Sequence, residues 1–210
     1  MAPPNATATV FVVDDDVSVR ESLELLICAA GWQALTFDSA QEFLAHPRHS
    51  GACCLILDVA LPGLNGLELQ EQIRERTDMP IIFITGHGDI PMSVRAIKAG
   101  AIEFLTKPFN DDVLLRTIQE CVERSRVVLR EQADMRVLRG RYDSLTPRER
   151  EVMALVVTGL LNKQVGAELG ISEITVKAHR GQLMRKMQAD SLAALVTMTA
   201  RLKLGTEELI

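Results

Sequence analysis

The sequence predicts an α/β domain followed by a smaller all-α domain, and three observations support this prediction. Short apolar runs alternate five times with helical patterns within residues 9–123, whereas residues 142–210 show only helical patterns. Residues 1–125 carry 9 Lys and Arg against 18 Asp and Glu, and residues 126–210 carry 14 against 10. An acidic first part and a basic second part indicate two modules, the second with the charge that nucleic acid attracts.

Five apolar runs are the strand candidates of the first domain. They lie at residues 9–13, 33–37, 53–57, 80–84 and 101–105. The helical patterns that follow them cover residues 19–30, 39–46, 66–76, 91–99 and a stretch that begins after 110. Because apolar strands joined by helical crossovers need cover on both faces, they predict a doubly wound five-stranded parallel sheet. Ligands bind such sheets beyond the carboxyl ends of the strands.

These patterns divide the chain into four segments. They are a disordered lead-in at 1–8, the α/β domain at 9–123, a largely helical linker at 124–141 and the helical domain at 142–210. A coiled-coil seam through Val128 and Met135 is an alternative use of the linker. Polar residues at Ser125 and Gln132 interrupt that seam, so the seam remains the weaker interpretation.

Composition argues against a secreted or membrane protein. No run approaches the roughly 18–20 apolar residues of a membrane helix, and the first residues lack the basic start and apolar core of a secretory signal. The four cysteines, Cys28, Cys53, Cys54 and Cys121, do not have the spacing of a zinc site. We therefore expect a cytoplasmic protein whose cysteines are small buried residues in a reducing compartment, with no membrane partner.

Polar side chains follow four of the five predicted strands. They are Asp14–Asp16 after the first strand, Asp58 after the third, Thr85 after the fourth and Lys107 after the fifth. Clustered carboxylates repel one another and need a cation, and a hard oxygen-ligand cluster suits Mg²⁺. Asp58 is then expected to attack phosphorus, with Thr85 donating a hydrogen bond and Lys107 a charge to the phosphoryl group. Each residue alone is typical of an ordinary turn, but their positions at successive strand ends favour a phosphoryl-transfer site.

The second domain begins with a clear helix signal. Residues 146–149, Thr-Pro-Arg-Glu, form a capping box with Pro at the first helical position. Asn162 and Ser172 are predicted caps of the next two helices, and Gly170 is the predicted stop between them. Two helices joined by this tight turn match a helix-turn-helix. The four predicted helices cover residues 147–159, 163–169, 173–187 and 191–203.

Five separated blocks of the sequence resemble one known family. "VFVVDDD", "LILDVALPGLNGLEL", "IIFITGHGD" and "GAIEFLTKPF" resemble the receiver domain of two-component response regulators. "LTPREREVMALVVTGLLNKQVGAELGISEITVKAHRGQLMRKM" resembles the LuxR/NarL-type helix-turn-helix, and "TGHGDIPM" is most similar to the FixJ subgroup. The resemblance extends from about residue 9 to residue 203. It implies a flavodoxin- or CheY-like receiver with strand order 2-1-3-4-5, a cognate sensor histidine kinase and double-stranded DNA as partners.

The resemblance also implies which aspartates bind the metal ion, a distinction that the residues alone do not make. It assigns Asp58 as the phosphoacceptor and makes Asp15 and Asp58 direct Mg²⁺ ligands. The backbone carbonyl of Ala60 joins them, and Asp14 supports the ion through water. Asp16 becomes a neighbour of the site rather than a ligand.

Further roles follow from the same resemblance. Thr85 and Lys107 contact the phosphoryl group, and Phe104 takes the place of the rotating aromatic switch. Phosphorylation then promotes a homodimer. The candidate dimer face consists of Ile90, Val94, Lys98 and the helix after Asn110. RNA polymerase is a further partner of such a regulator.

The predicted recognition helix has a core face and a reading face. Val176, Leu183 and Met187 recur at core spacing, opposite Lys177, Ala178, Gly181 and Arg185, and such a helix enters the major groove. Gly181 occupies a position where the family often has a longer side chain, which weakens base reading there. One domain makes few contacts, so we expect paired half-sites. The predicted phosphate contacts are Lys163, Arg180, Arg185 and Lys186, joined by Ser172 and Thr175 at the helix N-terminus.

Two other functions are compatible with parts of the sequence. An Mg²⁺-dependent phosphatase would use Asp58 as nucleophile but needs a second carboxylate two residues later, where Ala60 lies. A phosphorylation-independent DNA-binding protein would keep the receiver only as structure, which leaves the complete acidic set unexplained.

A small Ala60 is expected to ease access of water to the site, and His87 is either a second modulator of that step or a plain loop residue. We therefore expect a regulator, with phosphoryl self-transfer and slow autodephosphorylation as its only chemistry.

Overall fold

The computed structural model describes residues 8–86 and 90–202. Most of the predicted lead-in at 1–8, together with His87 and Lys203, therefore lies outside the described residues. The chain separates into two compact units, Met1–Arg130 and Glu131–Ile210. Among the described helices, none is both long enough and apolar enough to cross a membrane.

The first unit contains a five-stranded parallel sheet. Its strand order is β2-β1-β3-β4-β5, which confirms the predicted doubly wound topology. Every strand of this sheet points its carboxyl end toward the same edge, because all four pairings are parallel. The strands are β1 (Thr9–Val13), β2 (Gln33–Phe37), β3 (Cys53–Asp58), β4 (Ile81–Thr85) and β5 (Glu103–Thr106).

In the part of the first unit that the structure describes, five helices connect and cover these strands. α3 is shorter than predicted, because the chain leaves it in successive turns in which the amide of Arg76 donates to Ile73 and that of Met79 to Arg76. β5 starts later than predicted, because the amide of Ala101 donates to Ala96 at the end of the preceding helix. The helices are α1 (Val17–Ala29), α2 (Ala40–Ala45), α3 (Gly66–Gln72), α4 (Ile90–Lys98) and α5 (Asp111–Asp143).

Alternate residues of the strands enter two separate apolar layers. On β4, Phe83 packs on one face with Phe43 of α2 and Leu69 of α3, whereas Ile82 packs on the other face with Ile27 of α1 and Ile118 of α5. All these side chains are buried. The burial of both faces explains why the central strands β1, β3 and β4 consist almost entirely of apolar residues.

Three of the four cysteines are buried, as predicted, but Cys28 is exposed on α1. The helix presents Leu23 and Ile27 to the core, so Cys28 falls on its outer side. Burial raises the pKa of Cys53 to about 12 and that of Cys121 to about 12, which keeps both thiols protonated and unreactive.

α5 is one continuous helix of 33 residues. Leu114 and Ile118 near its start belong to the core of the first unit, and Leu138 and Tyr142 near its end belong to the core of the second. The segment predicted as a largely helical linker is therefore helical throughout.

Within the described residues, the second unit consists of the end of α5 and four further helices. Thr146 and Glu149 make the predicted capping box, and Gly170 ends the second helix with φ of 66°, a conformation that favours glycine. The predicted cap at Asn162 is wrong, because Leu161 precedes the helix and its amide donates to the side chain of Gln164. The helices are α6 (Pro147–Val156), α7 (Asn162–Leu169), α8 (Glu173–Met187) and α9 (Leu192–Leu202).

Ser125 fastens α5 to the sheet through a buried hydrogen-bond pair. Its hydroxyl accepts from the amide of Cys53 at 3.0 Å and donates to the carbonyl of Asp78 at 2.5 Å. Ser125→Ala is expected to lower the free energy of unfolding of the first unit by roughly 1–3 kcal/mol, because it leaves the buried Cys53 amide without this acceptor and the Asp78 carbonyl with only the weak Cys53 thiol contact at 3.8 Å.

Urea unfolding followed by fluorescence measures this change, since the single tryptophan of the chain, Trp32, packs in the first unit. Ser22→Ala, at an exposed position of α1, is the control and should change the value by less than about 0.5 kcal/mol. Equal stability of the two variants would show that the pair at Ser125 contributes nothing.

Candidate functional site

The carboxyl ends of β1 and β3 bring two buried carboxylates together. Val13 pairs with Leu57, so Asp14 and Asp58 leave adjacent strands at the same level of the sheet. Asp14 is 0% exposed and Asp58 is 5% exposed. Two carboxylates held so close, and so far from water, require positive charge nearby.

Lys107, just beyond β5, supplies that charge. Its ammonium lies 2.5 Å from an oxygen of Asp14 and 3.0 Å from an oxygen of Asp58. The second oxygen of each carboxylate accepts from the backbone amide two residues later, at 3.0 Å from Asp16 and 3.1 Å from Ala60. The structure thus brings together the predicted residues of β1, β3 and β5 in one charged cluster.

The cluster changes the proton affinity of its members. Burial raises the pKa of Asp14, and the hydrogen bonds from Lys107 and the Asp16 amide lower it only in part, so it stays above its ordinary value. Burial lowers the pKa of Lys107, but hydrogen bonds to Asp14 and Asp58 outweigh burial and leave it above its ordinary value. Lys107 therefore remains a cation at neutral pH.

The three consecutive aspartates after β1 have three different surroundings. Asp14 faces Lys107, Asp15 is exposed, and Asp16 caps α1 by accepting from the amide of Ser18 at 2.8 Å. Asp14, Asp15 and Asp58 each offer a carboxylate oxygen within 4.8 Å of the other two. This all-oxygen donor set fits a hard divalent cation, whereas Asp16 is engaged at the helix start.

Two supporting residues escaped the sequence prediction. Arg20 donates to the backbone carbonyls of Asp14 at 2.6 Å and Asp15 at 3.0 Å, and so holds the loop that presents both carboxylates. A Cβ on Gly66 would lie 2.3 Å from the carbonyl oxygen of Asp58, so only glycine lets α3 approach the strand end this closely. Gly66 belongs to a motif already recognised, but nothing in the local sequence around Arg20 indicates its contacts.

Thr85 and Phe104 lie on one face of the sheet. Thr85 ends β4 and is 1% exposed, and its carbonyl accepts from the amide of Lys107 at 2.7 Å. Phe104 pairs in register with Phe83, two residues before Thr85, and the two aromatic rings lie 6.2 Å apart. Phe104 is half-buried, so its ring borders both the core and the surface.

A cleft opens beside the carboxylate cluster, between α3 and α4. It has a volume of about 670 Å³, and Ala60, Thr85, Met92 and Arg95 are among its lining residues. Ala60 is exposed and lines the cleft two residues after Asp58. The small side chain leaves this approach open.

In the second unit, α8 has the two faces that the sequence predicted. Val176, Leu183 and Met187 are buried. The opposite side is solvent-exposed along the helix. The predicted reading positions on that exposed side are Lys177, Ala178, Gly181 and Arg185.

The predicted phosphate contacts differ in how freely their side chains can reach DNA. Lys163 is exposed, whereas the Arg180 guanidinium donates to Asn162 at 3.1 Å. The Ser172 hydroxyl caps α8 by accepting from the amide of Thr175 at 3.1 Å, and the two hydroxyls lie 2.8 Å apart. These hydroxyls therefore already have local partners.

Lys186 points into the domain rather than toward the exposed side of α8. Its ammonium donates to the carboxylate of Glu149 at 2.6 Å and to the carbonyl of Ser144 at 3.1 Å. Burial raises the pKa of Glu149, but the hydrogen bonds from Lys186 and Thr146 outweigh it and leave the pKa below its ordinary value. Lys186 thus fastens α8 to α6, which speaks against its predicted role as a phosphate contact.

Comparison with known proteins identifies both units. Residues 10–119 match the response regulator receiver domain, and residues 143–199 match the bacterial regulatory proteins of the luxR family. Nodulation protein W of Bradyrhizobium diazoefficiens is 50% identical over 93% of this chain and 86% of that protein. Response regulator protein TodT of Pseudomonas putida is 44% identical over 93% of this chain and 87% of that protein. Transcriptional regulatory protein FixJ of B. diazoefficiens is 39% identical over 91% of this chain and 94% of that protein.

Solved structures give the same assignment. The response regulator StyR shares 48% identity with a TM-score of 0.84, covering 93% of this chain and all of that one (100%). Full-length FixJ from B. japonicum shares 37% identity with a TM-score of 0.55, covering 96% and 100% of the two chains.

A receiver with its acidic cluster, joined to a helix-turn-helix, defines a two-component response regulator that controls transcription. The chain belongs to the NarL/FixJ family of these regulators, and its relatives assign it to the FixJ-like subgroup. Its receiver implies a histidine kinase as partner, and its LuxR-type domain implies DNA. It is a regulator rather than a classical enzyme.

Proposed function

We propose that phosphorylation of Asp58 by a cognate sensor histidine kinase, in the presence of Mg²⁺, switches this regulator between two states. One observation carries the proposal. The Asp58 carboxylate lies at a strand end with Lys107 at 3.0 Å and with the oxygens of Asp14 and Asp15 near enough to share a cation. Nucleophile, cation ligands and a fixed positive charge are the components that phosphoryl transfer needs.

Each residue of the cluster has a role in the transfer. An oxygen of Asp58 attacks phosphorus, and the bond to the donor breaks with its electron pair leaving on the donor. Asp15, Asp58 and the Ala60 carbonyl would hold Mg²⁺ directly and Asp14 through water, and the ion would supply charge neutralisation. Lys107 then exchanges its contact with the Asp58 carboxylate for a phosphoryl oxygen, and the Thr85 hydroxyl donates to another.

The catalytic capacity of the protein is limited to its own phosphorylation and the slow hydrolysis of the aspartyl phosphate. A phosphatase that turns over external substrate would need a second carboxylate two residues after Asp58. Ala60 occupies that position, and it offers only its backbone groups. The absence of a carboxylate at residue 60 therefore favours phosphoryl self-transfer over phosphatase activity.

The proposed switch couples the phosphoryl group to a homodimer. Movement of Thr85 toward the phosphoryl oxygen opens space for the ring of Phe104, which lies on the same sheet face, to turn inward. The neighbouring α4 already exposes apolar side chains, with Ile90 80% and Val94 44% accessible. Lys98 of α4 and the start of α5 complete this face, which we propose as the surface buried in the phosphorylated homodimer.

The dimer would bind paired half-sites in double-stranded DNA. The helix α8 enters the major groove, where Lys177, Ala178 and Gly181 would face the bases. The proposed phosphate contacts are Lys163, Arg180 and Arg185, joined by Ser172 and Thr175. We propose domain limits of 9–123 and 142–210 with a linker at 124–141, which the family matches at 10–119 and 143–199 support.

The protein acts in the cytoplasm, where DNA and RNA polymerase, its further partner, are available.

The transfer itself is tested by the intact mass of the full chain after incubation with a small acyl phosphate. Wild type and Asp38→Asn, a control at an exposed aspartate, should each gain one phosphoryl group with Mg²⁺ and none with a chelator. Asp58→Asn should gain none, because the nucleophile is absent. An adduct that persists in Asp58→Asn would identify a different acceptor. An unmodified wild type, under conditions that label a known receiver, would favour a phosphorylation-independent DNA-binding protein.

We expect the open cleft beside Ala60 to influence the lifetime of the phosphoryl group. Ala60→Arg should slow hydrolysis of the aspartyl phosphate on the order of tenfold, or roughly 1.4 kcal/mol of barrier, because the longer side chain obstructs the approach of water. Loss of the phosphoryl group is followed by intact mass over time. Ala30→Arg, at an exposed position after α1, adds the same charge elsewhere and should leave the rate unchanged. Equal rates for Ala60→Arg and wild type would remove any role of residue 60.

A further inference from the structure

Ile174 is an exposed apolar side chain in the first turn of α8. It is 83% accessible, the highest value among the large apolar residues that the structure describes. The cap residue Ser172 precedes it and Lys177 follows one turn later. No part of the second unit that the structure describes covers this side chain.

Ile174 shares its side of α8 with the positions already expected to meet DNA. Lys177, Ala178 and Gly181 follow it by three, four and seven residues, the spacing of one helix face. All four are exposed, whereas Val176 and Leu183 on the opposite side are buried. The exposed face therefore begins with an apolar group and continues with a cation.

The middle of this face carries almost no side chain. A Cβ on Gly181 would meet no described atom within 4 Å, so the fold itself leaves room for a larger residue there. Glycine inside a helix costs about 1 kcal/mol relative to alanine. With Gly181 bare and Ala178 short, Ile174 and Lys177 carry the large side chains of this face at the front of the helix.

We propose that Ile174 packs against the 5-methyl group of a thymine in each half-site and so helps to determine which sequence is bound. Recognition helices present their N-terminal residues to base edges, and the thymine methyl is the apolar group of the major groove. This inference rests on the proposed entry of α8 into that groove. The cationic residues Lys163 and Arg185 attract the phosphates but do not distinguish one base pair from another.

The test removes the methyl group alone. Duplexes selected from a random library by the phosphorylated full-length protein are resynthesised with each thymine replaced in turn by deoxyuridine, and dissociation constants are measured by fluorescence anisotropy. For wild type, one replacement per half-site should weaken binding about fourfold, the ratio expected from exposing one buried methyl group. Ile174→Ala should bind the thymine and deoxyuridine duplexes equally at that position.

Two further variants exclude indirect effects. Val196→Ala removes a 40% exposed apolar side chain from α9 and should keep the fourfold difference. Ile174→Val retains a branched apolar group and should keep most of it, which separates loss of the contact from loss of folding.

Wild-type binding that is indifferent to every deoxyuridine, or a difference that persists in Ile174→Ala, would overturn the inference while leaving DNA binding by α8 intact. Failure of the wild type to select any sequence over random DNA would overturn the proposed DNA-binding function, and this inference with it.

Discussion

The ion pairs that Lys107 makes with Asp14 and Asp58 are the interaction on which the receiver depends. Three parallel strands end at one edge of the sheet, and each contributes one member of this buried cluster. Removing one partner of a buried ion pair typically costs about 3–5 kcal/mol, because the remaining charge is left uncompensated. A phosphoryl group on Asp58 would exchange this pairing for a new one without breaking the cluster. The same ammonium can therefore stabilise the resting receiver and its phosphorylated form.

Much of the fold could be predicted because its strands are buried on both faces. Apart from Thr9 and Asp58 at their ends, β1 and β3 consist of apolar residues, and every residue of both strands is buried, so their limits follow closely from hydrophobicity. The end of α3 and the start of β5 could not be predicted in this way. Local turn hydrogen bonds that follow the helices decide both, such as the amide of Ala101 donating to Ala96. The predicted cap of α7 at Asn162 was wrong because side-chain hydrogen bonds differ from those expected. Gln164 supplies the capping group, and Asn162 instead accepts from Arg180.

The members of the site could be predicted better than their individual roles. Topology alone brings Asp58, Lys107 and the aspartates after β1 to one edge, but a linear sequence does not separate Asp14 from Asp16. The loop does so, by turning Asp16 toward α1. In the second unit, charge alone does not indicate which cations are free. Lys186 has the positive charge of a phosphate contact, but its ammonium donates a hydrogen bond to the buried Glu149 inside the domain. Ile174 carries no charge at all, so a search for basic residues passes over it.

In the proposed mechanism, phosphorylation of Asp58 sets the affinity of the second unit for DNA. The most direct measurement compares the dissociation constant of the full chain for a selected duplex before and after treatment with phosphodonor and Mg²⁺. Wild type should bind at least about tenfold more tightly after treatment, a difference of about 1.4 kcal/mol, whereas Asp58→Asn should not respond. Equal affinity of untreated and fully phosphorylated wild type would contradict the account and leave the receiver without control over DNA binding.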